Sequence, residues 1–438
     1  MSSDQTPVRI GLLGIGTVGG GTWEVLTRNA REITRRVGRP IAITKVADLN
    51  TALAREVTGG AITVTDDAWS VVKDPDIDIV IELIGGYGIA KDLTLAAIEN
   101  GKHVVTANKA MLAVHGNEIF AAASRNGVVV AFEAAVGGGI PIIKALREGL
   151  VANQIDWIVG IINGTTNFIL SEMRSRGVSF TDALADAQAN GYAEADPTFD
   201  VEGIDAGHKV ALMSAMAFGV PVMFDQAHVE GISSIEQADI RYAEELGYRL
   251  KLLGITKRRP GGIELRVHPT LVPTNRLIAN VEGVMNAVMV DGDAVGQTLY
   301  YGAGAGSQPT ASAVIADLVD VARLITADPE HRVPHLAFQP DQLADLPVLP
   351  IDDVTSAYYM RLRVADKPGV LAEVTGILAD GQISIDAVIQ KESDIDSATI
   401  VLLTHECVER NLRAAIARIQ ALPANLAPVI SLRMEKLD

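Results

Sequence analysis

The glycines at 14, 16 and 19, set between an apolar run and a helical stretch, restrict the fold of this chain more than any other feature. Residues 8–13 read as a buried strand and residues 22–36 as a helix. Between them lies Gly14-Ile15-Gly16-Thr17-Val18-Gly19. The first glycine permits a tight turn, the second lets a pyrophosphate approach the backbone, and the third lets the helix pack closely; unpaired N–H groups at the helix start then receive the phosphate charge. After a strand and before a helix, this pattern reads as a dinucleotide-binding fingerprint, the plainer alternative being a glycine-rich turn without a ligand.

The segments that follow keep the same rhythm. Residues 41–47, 77–83, 103–107 and 128–132 are short β-branched runs, and residues 90–99 are helical. Near-continuous apolar strands separated by helices imply a parallel sheet covered on both faces, so the expected N-terminal fold is Rossmann-type, doubly wound α/β. In such a sheet the ligand sits beyond the C-terminal strand ends, where the chain places Gly85-Gly86 and Thr106-Ala-Asn108-Lys109. Lys109 is therefore a candidate for both cofactor and substrate; a solvated loop lysine is the alternative. Asp48 ends the second strand, 34 residues past Gly14 rather than about 20. There it would bond a ribose 2′-hydroxyl and favour NAD, with Arg39 and Lys45 keeping NADP open; it is equally readable as a turn residue.

A second constraint lies far downstream. Residues 210–223 contain no charge, yet Asp205 and Lys209 stand at the head of this stretch. A helix apolar on all sides is buried, and residues four apart share one face. Charges in dry surroundings are costly unless paired or used, so Lys209 is the expected general acid/base and Asp205 its partner. An ordinary i,i+4 pair is the alternative.

From about residue 133 the texture changes from doubly wound α/β to α+β, with strands at 157–162, 263–267 and 282–290 and helices at 167–176 and 181–190. The expected divisions are a dinucleotide-binding domain over 1–132, with helix 310–326 packing back on it, and a catalytic and dimerisation domain over 133–309. A linker with five prolines follows over 327–350, then a small domain over 351–438. That last segment reads β-α-β-β-α-β, the ferredoxin-like plan.

Composition removes several functions. With 37 basic and 54 acidic residues the formal charge is −17, which argues against nucleic acid as a partner. No run approaches membrane-spanning length and no signal pattern opens the chain, so a cytoplasmic location and no membrane partner are expected. The lone cysteine, Cys407, lies far from every chemical motif, which disfavours a covalent thioester route, and the eight histidines lack metal-ligand spacing.

Six separated motifs, GIGTVG, TANKA, EAAVGGGIP, NGTTNFIL, GYAEADPTFDVEGIDAGHK and YGAGAG, stand in the order found in homoserine dehydrogenases, and the chain resembles that family over roughly residues 8–325. The tail, VADKPGVLAEVTGILADGQISIDAVIQ, resembles an ACT domain, and no kinase-like region precedes the glycine motif, as in the monofunctional form. The resemblance implies NAD(P)-dependent interconversion of L-homoserine and L-aspartate 4-semialdehyde in threonine, methionine and isoleucine biosynthesis. It implies Lys209 and Lys109 as catalytic lysines, with Asp205 beside them. Glu194 and Asp200 become substrate-binding acids, and Asn163 and Thr165 of Asn163-Gly-Thr-Thr-Asn167 could hold the substrate carboxylate, although a capped turn explains them as well. Position 199 is Phe where the family often carries a second acid. Thr106 and Gly302 are implied cofactor contacts. Glu133, Val136, Gly138 and Ile140 are implied around a monovalent cation, usually sodium, with an interdomain glycine hinge as the competing explanation. Asp366, Pro368, Gly369 and Val370 are implied at an amino-acid effector site, threonine being the natural ligand, unless the domain only dimerises. A homodimer or homotetramer is expected. Other readings of the whole chain are a different NAD-dependent dehydrogenase of a small amino or hydroxy acid, or a non-catalytic amino-acid sensor.

Overall fold

The computed structural model describes residues 6–329, 332–394 and 396–437, which fall into two compact units. The first takes in the chain up to Ile162 together with Asp205–Ala227 and Met285–Leu346; the second takes in Asn163–Ile204, His228–Val284 and the chain from Pro347 onward.

The first unit is built on a six-stranded sheet. Its spatial order is Thr63–Thr65, Ile41–Ala47, Val8–Leu13, Ile79–Glu82, His103–Thr106, Val130–Ala131. Every pairing is parallel. In chain order this is 3-2-1-4-5-6, the dinucleotide-binding arrangement, whose crevice opens where the order reverses between the first and fourth strands. Val8, Ile10, Leu12, Ile79 and Ile81 are wholly buried, as strands covered on both faces require. The short strand at Thr63–Thr65 has no sequence signal, being too brief to show a period.

One helix differs from expectation. The helix expected over 22–36 starts at Thr17 and is divided at Asn29 into Thr17–Arg28 and Ala30–Val37. Three successive glycines at 19–21 argue against a helix by propensity, but packing overrides it. A Cβ on Gly21 would lie 2.3 Å from Ser307 Oγ, so only glycine lets the helix Ser307–Leu324 approach this closely. Val25 and Leu26 join Val314, Leu318 and Val321 in one apolar core.

The charge-free stretch is indeed a buried helix, Ile204–Phe218, ended by Gly219 at φ +63°. The described part of the proline-rich segment expected as a linker is packed, within the first unit up to Leu346 and within the second beyond it, where Ile263 N–H donates to Pro347 O at 2.9 Å. The Phe338 ring covers Gly219, Ala344 N–H donates to Gly219 O at 2.6 Å, and the His335 ring stacks on Phe120 with centroids 5.6 Å apart. The unit also contains an antiparallel set in which Met285–Gly292 pairs with Ile155–Ile161 on one side and Gly296–Ala303 on the other.

In the second unit a long hairpin, Tyr248–Arg259 and Gly262–Pro273, is accompanied by helices Gly164–Arg176, Phe180–Ala189 and Gln237–Glu245. The C-terminal part has the ferredoxin-like order expected. Strands Ile430–Met434, Thr355–Ala365, Ser397–Thr404 and Ile385–Asp394 lie antiparallel in that spatial order, with helices Val370–Asp380 and Glu409–Gln420. Ile430–Met434 also pairs in parallel with Gly262–Pro273, Thr270 opposite Arg433.

Candidate active site

The glycine loop has the geometry a pyrophosphate needs. Gly14 has φ +93°, and a Cβ there would stand 2.8 Å from Leu83 O. A Cβ on Gly19 would strike Gly14 O at 2.1 Å, whereas one on Gly16 would meet nothing within 4 Å. The loop is thus closed around Gly14 and Gly19 and open at Gly16, where Ile15, Thr17 and Val18 flank the approach. Because the helix begins at Thr17, its first-turn N–H groups point at this opening. Beside it lies a cavity of about 480 Å³ lined by Gly14, Gly16, Asp48, Asp66, Asp67, Trp69 and Ile89 among others. The residues fit a dinucleotide.

Asp48 has a double role. One oxygen accepts from Ile15 N–H at 2.7 Å and the other from Asn50 N–H at 2.7 Å, so it fixes the glycine loop to the turn after the second strand. Lys45, a proposed counterweight, is committed elsewhere: its ammonium bonds Ser70 O at 2.9 Å and Asp74 at 3.2 Å.

A second glycine-rich segment, 302–307, meets this loop, and a third, 133–140, meets the second. Ser307 Oγ donates to Thr17 O at 2.9 Å. Gly139 N–H donates to Ala303 O at 2.9 Å, and a Cβ on Gly302 would come within 3.1 Å of Ile140. The segment 133–140 is therefore anchored rather than hinge-like. The Glu133 carboxylate accepts from Ile143 and Lys144 N–H at 2.9 and 2.8 Å, which leaves only backbone carbonyls for a cation. Those of Glu133 and Ile140 serve turns, accepting from Val136 and Ile142 N–H; those of buried Val136 and Gly138 accept no hydrogen bond among the described residues. No cluster of three His, Cys, Asp or Glu side chains suited to a metal occurs among the described residues.

Deeper in the same unit, Asp205 stands between two lysines. Lys209 Nζ donates to Asp205 Oδ2 at 2.6 Å and to Ile162 O at 2.7 Å, and Lys109 Nζ lies 2.8 Å from Asp205 Oδ1. The Asp205 and Lys209 side chains are 2% and 9% exposed and that of Lys109 34%, so one lysine is enclosed and the other faces solvent. Burial pushes the Asp205 carboxyl up, but the two ammonium groups outweigh it and hold it well below the ordinary carboxylate range. Lys109 is the first residue of its helix, capped by Asn108, which is how the strand end at Thr106 delivers it here.

The matches to known proteins follow this layout. Residues 14–133 match the homoserine dehydrogenase NAD-binding domain, residues 141–319 the homoserine dehydrogenase domain, and residues 358–424 the ACT domain. Homoserine dehydrogenase of Pseudomonas aeruginosa is 59% identical over 434 residues, 99% of this chain and 100% of that protein. The chain belongs to the homoserine dehydrogenase family. A solved homoserine dehydrogenase from Thiobacillus denitrificans superposes with TM-score 0.95 at 63% identity, covering 99% of each chain. A hyperthermophilic archaeal homoserine dehydrogenase, solved in complex with NADPH, gives TM-score 0.62 at 26% identity over 72% of this chain and 98% of that one. The chain is thus an oxidoreductase with a nicotinamide-dinucleotide domain and an ACT domain.

The remaining motifs of this homoserine dehydrogenase chain lie in the second unit. Asn163 Oδ1 accepts from Thr166 N–H at 2.8 Å, capping the helix Gly164–Arg176, while its amide donates to Asp200 Oδ1 at 2.7 Å. Thr165 Oγ1 donates to Tyr192 O at 2.7 Å. Both side chains are buried, whereas Glu194 is exposed. Asn163 and Thr165 thus tie the acidic segment 191–200 to the helix start. In the ACT domain Asp366, Pro368 and Gly369 are exposed, and Gly369 at φ +94° precedes the helix that starts at the buried Val370. Cys407 is buried, and burial pushes its thiol up to about 11, unfit for attack.

Sequence reasoning passed over two acids. Glu82 stands next to last in the apolar run 77–83 and is fully buried, and Asp317 sits buried on the last Rossmann-side helix, its carboxylate accepting from Glu133 N–H at 2.8 Å. An acid within a β-branched run, which also holds Asp78, was the available signal for the first; the second has none.

Proposed function

We propose that this protein oxidises L-homoserine to L-aspartate 4-semialdehyde, and reduces it in reverse, with Lys209 as the general acid/base. The observation that carries the proposal is the buried Asp205 carboxylate held between Lys209 and Lys109. The bound dinucleotide supplies the hydride acceptor. Lys209, in its neutral amine form, takes the hydroxyl proton in oxidation, and as the ammonium it returns it in reduction, Asp205 stabilising the charge that Lys209 gains. Lys109, more exposed, orients the substrate oxygen from the other side of Asp205. By resemblance, Glu194 and Asp200 serve the substrate ammonium and Asn163 and Thr165 its carboxylate.

Gly14–Gly19, Asp48, Thr106 and Gly302 are the proposed dinucleotide contacts. Two observations favour NAD over NADP. Asp48, Asp66 and Asp67 line the cavity, and Lys45 is paired with Asp74 rather than facing it; a 2′-phosphate would meet only like charge. The carbonyls of Glu133, Val136, Gly138 and Ile140 are proposed to hold a sodium ion, which would brace the three glycine-rich segments. Asp366–Val370 is proposed to bind an amino acid, L-threonine first, and the chain to act as a homodimer or homotetramer in the cytoplasm.

Homoserine-dependent reduction of NAD and NADP, with and without threonine, tests the proposal. Absence of turnover with both dinucleotides refutes the activity, and flat threonine titrations refute the effector. Replacing sodium by choline should lower turnover if the cation site is used.

A further inference from the structure

Glu82 ends the strand Ile79–Glu82 and has no exposed surface. A carboxylate this deep persists only if its lone pairs are satisfied. Three donors meet it. Ile84 and Gly85 N–H reach Oε1 at 2.9 and 3.2 Å, and the Thr106 hydroxyl reaches Oε2 at 2.7 Å. The connection continues through Thr106, whose Oγ1 accepts from Asn108 N–H at 3.0 Å. Asn108 in turn caps the lysine-bearing helix, accepting from Met111 N–H at 3.0 Å, and its amide donates to Gly86 O at 2.8 Å. The bonds therefore close a ring that runs from Glu82 through the 84–86 turn to Asn108, and back through Thr106.

Two properties make this ring more than a stabilising cluster. Gly85 and Gly86 have φ +81° and +73°, and a Cβ on either would meet nothing within 4 Å. Both glycines are required by their positive φ, yet no neighbour packs against them, so hydrogen bonds hold the turn in place. The ring also ends one residue before Lys109, whose Nζ lies 2.8 Å from Asp205. The 84–86 turn and the first turn of the Lys109 helix stand at the C-terminal ends of neighbouring parallel strands, where a dinucleotide's reactive end is expected.

We propose that Glu82 is a positioning residue: its carboxylate locks the 84–86 turn and the start of the Lys109 helix into one rigid body beside the dinucleotide. It acts through Thr106 and Asn108 and touches no reacting atom. A carboxylate suits the task because one oxygen receives both N–H groups and the other the Thr106 hydroxyl; an amide would reverse the Thr106 bond and leave that hydroxyl proton without its charged acceptor. The claim rests on the reading that Lys109 acts beside Asp205.

The test uses the full-length protein and the variants Glu82→Gln, Glu82→Ala, Thr106→Val and the double variant Glu82→Ala/Thr106→Val. Measured are kcat and KM for homoserine, NADH affinity by fluorescence, and melting temperature. Misplacing a reacting group by about 1 Å costs on the order of 10²-fold. Glu82→Ala should therefore lower kcat by about 10²-fold and Glu82→Gln by about tenfold, with homoserine KM within about threefold of wild type. NADH should bind at least about threefold more weakly in both. Because Glu82 and Thr106 act through one bond, the double variant should lose little more than Glu82→Ala alone.

A wild-type kcat in Glu82→Gln overturns the proposal, as do single losses that multiply in the double variant. Should Glu82→Ala fail to fold, the nearly isosteric Glu82→Gln decides. Should the wild-type protein not oxidise homoserine, the functional reading falls by itself. NADH affinity then decides the positioning claim, and equal binding by wild type and Glu82→Gln overturns it.

Discussion

Replacing Asp317 by Asn should stabilise this protein by a margin that grows from pH 5 to pH 8 and is constant above it. Asp317 is 2% exposed, and its carboxylate accepts from Glu133 N–H at 2.8 Å. The Glu133 side chain is itself 3% exposed and bonded to Ile143 and Lys144 N–H. Burial pushes Glu133 up to about 7. Burial, with Glu133 adding its charge, pushes Asp317 up to about 8. Both acids thus hold protons in the folded state that they release when unfolded. The stability they contribute is complete below about pH 4, near their unfolded values, and is lost as pH rises through 7 and 8.

For Asp317 the loss is about 1.4 kcal/mol per pH unit between its unfolded and folded values. From pH 5 to pH 8 this reaches about 4 kcal/mol, a ceiling because water entry and relaxation screen the new charge. Asn has the shape of the protonated acid, keeps the oxygen that receives Glu133 N–H, and cannot ionise. Thermal melts of wild type and D317N at pH 5, 6.5, 8 and 9 provide the measurement. The variant's advantage in melting temperature should be smallest at pH 5, grow steadily to pH 8 and level off by pH 9. A constant difference across that range would show that Asp317 ionises in the folded state without penalty, and the argument from burial would fail.

Lys209→Ala should reduce kcat by about 10²–10⁴-fold, the span usual for a positioned acid/base, while NADH affinity measured by fluorescence stays within about twofold. Parallel losses of both would point to misfolding instead. Asp48→Ser removes a charged acceptor worth about 1.5–3 kcal/mol and the repulsion of a 2′-phosphate. The ratio of kcat/KM for NADP to that for NAD should rise at least about tenfold; an unchanged ratio would remove Asp48 from cofactor selection.

What the sequence made legible was local. The glycine spacing at 14, 16 and 19 declares itself because each glycine answers a contact within one strand–turn–helix. Asp205 and Lys209 declare themselves because two charges heading a charge-free helix are conspicuous. Lys109 could be assigned to a strand end but not to Asp205, since that contact joins helices distant in the chain. The long hairpin 248–273 was only partly visible for a different reason. Its buried Arg266 pairs with both Glu264 and Glu435, and Lys251 bonds Asn167 and Val281 O. Charges neutralised inside a sheet disrupt the apolar pattern by which strands are read. The glycine run 19–21 misled similarly, by hiding the start of a helix in which Gly21 serves the approach of Ser307.

Asn163 shows where the two kinds of information meet. Its sequence context allows a helix cap or a ligand contact, and the side chain has an end for each: the oxygen caps Thr166 N–H and the amide holds Asp200. Asn163→Ser keeps a good capping group but cannot reach across as the amide does, whereas Asn163→Ala loses both. If capping were its whole purpose, Ser would restore what Ala loses, about 1 kcal/mol of stability, and turnover would follow stability. If the amide orients Asp200 for an ammonium, Ser and Ala should raise homoserine KM alike, by about tenfold for a charge-assisted bond worth about 1.5 kcal/mol, although only Ala melts earlier. The decisive quantity is therefore KM in the serine variant: a wild-type value there would reduce Asn163 to a cap and leave Asp200 without a demonstrated orienting partner.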